Sequence, residues 1–246
     1  MYEVVIGRSE ADRKELGLVG TIFLGKLYVK IGATTSLSNK IYMDVARAHV
    51  VLISGKRGTG KSYSLATIAE EMANLPDEVG RRLAVLIVDT LGIFWTMKFP
   101  NEKDEDLLTE WNLQKKGLDV KIYTPAGKFE EYKEKGIPTD YPFTIQPAEL
   151  TAEDWVGLFG VSLLDPLGVL IERSVEKIKG EKENFDLDDL IRIIKVDERV
   201  EVNVKNAAEN RLLAAKAWGV FSKEGTPLKK IIVGKREMKQ TPLDRK

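Results

Sequence analysis

One stretch constrains this chain more than any other: residues 49–73, HVVLISGKRGTGKSYSLATIAEEMA. An apolar, β-branched run from His49 to Ser54 reads as a strand, and Leu65, Ile68, Ala69 and Met72 recur at helical spacing behind it. Between them, Gly55, Lys56, Arg57, Gly58, Thr59, Gly60, Lys61 and Ser62 fit G-x-x-x-x-G-K-[ST], the phosphate-binding P-loop. Glycines at 55, 58 and 60 let the backbone take positive φ and curl its N–H groups towards a phosphate chain. The helix starting near Lys61 adds the positive end of its dipole. Lys61 supplies a charge to the β- and γ-phosphates, Ser62 a hydroxyl to Mg²⁺, and Tyr63 completes the expected binding stretch. A glycine-rich turn carrying Lys-Ser by chance is the blander reading, but the flanking strand and helix signals argue against it. The expectation is a nucleotide-binding site.

Composition narrows the rest. The 246 residues balance 38 Lys and Arg against 38 Asp and Glu, so no global field draws the chain to nucleic acid. A locally basic pore or groove stays compatible with that balance. The chain has no cysteine, which excludes a disulfide scaffold, a thiolate metal site and a cysteine nucleophile. No apolar run nears the roughly 20 residues of a membrane span, and the N-terminus lacks a signal-peptide core. A soluble, cytoplasmic protein without membrane partners is expected.

Along the chain, Tyr2–Gly7, Gly20–Phe23, Lys26–Ile31 and Ile41–Val45 read as short strands, with a charged loop over Arg8–Gly17. They predict a small sheet or barrel ahead of the nucleotide domain. Leu83–Asp89 reads as a parallel strand buried on both faces, with Asp89 where such sheets bind ligands. Asp89 either meets Mg²⁺ or its water, or caps the next turn. Phe94 and Trp95 suit core packing better than an adenine platform. Leu118–Thr124 is a third strand, and 125–147 reads as loop with the solvated charge run EEYKEK.

Four helices are then predicted: one opened by a Thr151–Asp154 capping box with Trp155, Leu158 and Phe159 facing inward, then Pro166–Lys179, Asp186–Ile194 and Val204–Trp218. Leu228–Gly234 begins like a strand, and Lys235–Lys246 reads as a disordered terminus. His49, the lone histidine, is expected to be structural.

The segments IGRS (6–9), VGTIFLGKLYVKIG (19–32), IYMDVARAHVVLISGKRGTGKSYSLATIAEEM (41–72), IVDTLGIFWTMK (87–98), DWVGLFG (154–160) and NRLLAAKAWGVFSKEGTP (210–227) resemble the archaeal HerA-type ATPases of the HerA/FtsK superfamily. The resemblance implies a small N-terminal β-barrel over 1–46. It implies a RecA-like α/β P-loop core over 47–246, with a helical insertion at about 148–220. It further implies a hydrolase and helicase: a hexameric homo-oligomeric ring that hydrolyses ATP, translocates duplex DNA in repair and partners an end-resection nuclease. Carried over by position, Lys61 and Asp89 are catalytic, and Ser62 and Asp89 hold Mg²⁺.

Ile93 stands where many members are acidic, and the later Walker B strand ending in Asp-Glu has no counterpart before KREMKQTPLDRK. A truncated member is therefore expected. Such a chain keeps phosphate positioning but lacks a carboxylate to orient water, a loss of typically 10²–10⁴-fold in rate. Three functions follow: a DNA-motor ATPase subunit, a nucleotide-binding assembly or regulatory module without turnover, and, least suited for want of an arginine-rich lid, a small-substrate kinase.

Overall fold

In the computed structural model, which describes residues 3–31 and 34–233, the N-terminal strand signals merge into one sheet. Strand β3 (Thr34–Asp44) lies between β1 (Val4–Ile6), to which it runs parallel, and β2 (Thr21–Ile31), to which it is antiparallel. The two runs expected at 20–23 and 26–31 are a single strand. Register shifts at Phe23/Gly25 and Lys26/Tyr28 break its alternation and mimic a turn in sequence. These described strands form an open sheet, without the closure a barrel requires.

The expected loop after β1 holds helix α1 (Glu10–Leu16). Ser9 Oγ accepts from the Asp12 N–H at 3.1 Å, and Glu10 and Asp12 sit in the positive first turn. Nothing in α1 is buried, so no apolar period announced it.

The two apolar runs predicted as core strands are not laddered. Residues 48–55 and 83–89 have no strand structure, and Val50, Leu52 and Val88 are largely exposed. Strand-forming side chains suit a pleated surface, but a strand exists only through its ladder partner, and neither run has one among the described residues.

Helix α2 (Lys61–Ala73) follows the glycine loop, ends at Asn74 ahead of Pro76, buries Ala69 and packs on β2. Burial raises the Glu71 carboxyl above its ordinary range despite a hydrogen bond from the Phe23 backbone. A single turn, α3 (Asp77–Gly80), a 3₁₀ turn (Phe94–Lys98) and α4 (Glu105–Glu110) complete the first of two units, which divide between Val120 and Lys121. Trp111, at the end of α4, stacks obliquely on Phe23 and lies 5.0 Å under Lys26 Nζ.

In the second unit the predicted strand 118–124 shrinks to β4 (Tyr123–Pro125), parallel to β5 (Tyr141–Phe143). The expected loop between them carries α5 (Ala126–Glu134), where the charge run pairs with itself: Glu131 accepts from Lys128 and Lys135 at 3.0 and 2.6 Å.

Helices α6 (Ala152–Phe159), α7 (Pro166–Glu181), α8 (Leu187–Lys195) and α9 (Val202–Ala217) enclose the main core, with Trp155, Leu170, Ile178, Phe185, Ile194 and Leu212 fully buried. The Thr151–Asp154 capping box forms as expected, and a second, Asp186–Asp189, opens α8. Leu158 is turned outward, and α7 passes through Gly180, whose added Cβ would meet open space. Leu228–Val233 is a helical turn, α10, not the start of a strand. The reading of Lys235–Lys246 as a disordered terminus lies outside the described residues. No described helix is long and apolar enough to cross a membrane.

Candidate nucleotide-binding site

The glycine loop is shaped before any ligand arrives. Gly58 and Gly60 have φ of 80° and 89°, a region in which L side chains are strained. A Cβ on Gly55 would meet Thr59 Oγ1 at 2.6 Å, so the loop closes only around a glycine. Inside it, Thr59 N–H and Oγ1–H both donate to the Lys56 carbonyl, at 3.3 and 2.8 Å. Lys61 Nζ reaches back to the same carbonyl at 2.8 Å.

Gly60 is the N-cap of α2 and offers no side-chain cap, and the first turn carries no acidic residue. Its N–H donors and positive dipole end are therefore uncompensated from within the helix, as suits an anion.

Lys61 and Ser62 line a cleft of about 270 Å³ together with Asp89, Thr90, Leu91 and Phe94, and with Ile53, Leu65, Val88 and Ile93 as apolar wall. Three of the sequence-predicted residues, the adjacent Lys61 and Ser62 and the distant Asp89, thus share one space. Asp89 Oδ1 accepts from the N–H groups of Leu91 and Gly92 at 3.3 and 2.8 Å, and Oδ2 from Phe94 at 2.8 Å. The turn-capping role is therefore met. Asp89 is the one carboxylate among the described residues that line this cleft. A hydroxyl and a carboxylate are hard oxygen donors of the kind Mg²⁺ takes alongside phosphate oxygens and water.

Gly55 to Gly60 and their side chains Lys56, Arg57 and Thr59 stand exposed above the cleft. Tyr63 faces a second, larger cleft with His49 and residues 50–54. Phe94 lines the first cleft, while Trp95 packs edge-on against Phe99 at 6.1 Å.

Sequence reasoning missed the group beneath the loop's approach. The side chains of Asp44, at the end of β3, and of Arg8 are wholly buried and paired. Arg8 Nε donates to Asp44 Oδ1 at 3.2 Å, and its other nitrogens reach the carbonyls of Gly17 and Val19 at 2.7 and 2.8 Å. His49 Nε2 lies 2.8 Å from Asp44 Oδ2. Burial pushes the Asp44 carboxyl up, but hydrogen bonds from His49, Arg8 and Ala46 together hold it below its ordinary value. The signal was present in IGRS and in the lone histidine, without the contact that joins them.

A family model, that of the central domain of the helicase HerA, matches residues 23–226. The chain belongs to this HerA family. It is accordingly a P-loop ATPase of the HerA/FtsK class, and the glycine loop, α2 and Asp89 all fall within the match. As a class, HerA-type ATPases use ATP with Mg²⁺, bind DNA and form oligomers. No curated protein and no solved structure was found to match the chain.

Proposed function

We propose that this HerA-family chain binds MgATP in the cleft at the start of α2, as the ATPase subunit of a ring that moves duplex DNA during repair. The observation that carries the reading is the convergence of Lys61, Ser62 and Asp89 on one cleft beside an uncompensated helix start. In this reading Lys61 leaves the Lys56 carbonyl for the β- and γ-phosphates, and the loop N–H groups take the remaining phosphate oxygens. Ser62 and Asp89 are the residues that would hold Mg²⁺, which would supply charge neutralisation at the phosphates. Leu65, Ile93 and Phe94 limit water on the apolar side. The domain scheme that accompanies it is a small β domain over 1–46 and a RecA-like core over 47–246, with the helices of 148–220 inserted. A cytoplasmic location and a nuclease partner belong to the same proposal.

A second reading, a nucleotide-loading module without turnover, is favoured by one feature. Asp89 spends both oxygens on backbone N–H groups, and no other carboxylate lines the cleft among the described residues. Phosphate release from MgATP, with and without duplex DNA and with Lys61→Ala as the blank, separates the two. Turnover above the blank, raised by DNA, is expected of the motor subunit. ATP binding with no turnover above the blank assigns the loading module.

A further inference from the structure

We propose that the buried Arg8–Asp44–His49 cluster anchors the nucleotide loop, with His49 as its positioning residue. The inference rests on the reading of the loop as a nucleotide site. The six residues His49 to Ser54 lead directly into Gly55, and no backbone hydrogen bond holds them among the described residues. Their polar attachment is the His49 side chain, 2.8 Å from Asp44.

Asp44 cannot give way. Its side chain is wholly buried and held by Arg8, and Arg8 is fixed in turn by the carbonyls of Gly17 and Val19. The imidazole also rests on Gly7, where an added Cβ would lie 3.1 Å from it and where φ is 82°. One side chain thus ties a segment without a ladder to a buried, paired carboxylate at the end of β3. A loop held in its binding shape loses less freedom when it takes up a ligand.

The ionised Asp44 Oδ2 can only accept, so His49 Nε2–H is the donor in this bond. Beside the cluster, Arg47 feels the Asp44 carboxylate and pairs with Asp12 of α1 at 2.7 Å. From α2, Tyr63 is the one titratable residue facing the same cleft.

The test compares the wild type, His49→Ala and His49→Gln, the last of which keeps an N–H donor of similar reach. Trypsin cleavage after the exposed Lys56 and Arg57, followed by mass, reads the loop without nucleotide. Calorimetry with MgATP reads affinity, and thermal melting reads the fold. His49→Ala is expected to speed loop cleavage several-fold and weaken MgATP about tenfold, with a drop of a few degrees in melting temperature from the Asp44 oxygen left without its partner. His49→Gln is expected to restore both.

Wild-type cleavage and affinity in His49→Ala, or no recovery in His49→Gln, would overturn the anchor. A wild type that fails to bind MgATP, while His49→Ala still loosens the loop, would overturn the nucleotide reading and leave the anchor supported.

Discussion

Asp189 shows how much one buried carboxylate contributes when its partners are fixed. Its side chain is 2% exposed, and Lys182 Nζ donates to it at 2.7 Å, with Arg192 and Lys223 on the same carboxylate. The Lys182 ammonium, against the opposing effect of burial, holds the Asp189 carboxyl at about 2, from an ordinary 3.8. A folded-state value below the unfolded one stabilises the fold above roughly pH 4 and ceases to do so as pH falls towards 2. That gap corresponds to roughly 2 kcal/mol at neutral pH. Asp189→Asn should lower stability by about that amount in urea unfolding at pH 7, and should flatten the loss of stability between pH 4 and 2. Equal acid sensitivity in both proteins would contradict it. Asp44 follows the same sign, since it too is held below its ordinary value.

At the scale of elements, a tight constraint lies where α5 begins and α9 ends. Gly127 N–H donates to the Gly219 carbonyl at 2.7 Å, and a Cβ on Gly127 would stand 2.6 Å from the Gly219 Cα. Neither backbone can yield alone, because Gly219 also terminates α9 with φ of 68°. Gly127→Ala should cost about 1–3 kcal/mol, read as a lowered melting temperature. An unchanged melting temperature would show that α5 shifts freely.

Gly219 was legible as a helix stop, and so were Asn74 before Pro76 and the Thr151 capping box, because caps are local chemistry carried by the residues themselves. Helix α1 was not legible, since a helix that buries no residue has no apolar period. The strands expected at 49–54 and 83–89 failed for the opposite reason: their composition is right, but a ladder is a long-range fact that no single run encodes. Leu228–Val233 shows the same ambiguity of a short apolar run, here resolved as helix. In the site, Lys61, Ser62 and Asp89 could be named from motif and position. Their meeting in one cleft, and the buried Arg8–Asp44–His49 cluster, depend on contacts made across tens of residues.

For the whole molecule, the family match spans residues 23–226 and so takes in parts of both compact units. Equal numbers of acidic and basic residues leave no net field, so any attraction for DNA has to come from local charge, such as the exposed Lys56 and Arg57. The reading of the molecule as a whole stands on the cleft at α2. Calorimetric titration of MgATP into the wild type and Lys61→Ala tests it most directly. One nucleotide per chain, bound about tenfold more weakly by the variant, a loss of about 1.4 kcal/mol, is the expected result. Equal affinity in the two proteins would contradict the assignment of the loop.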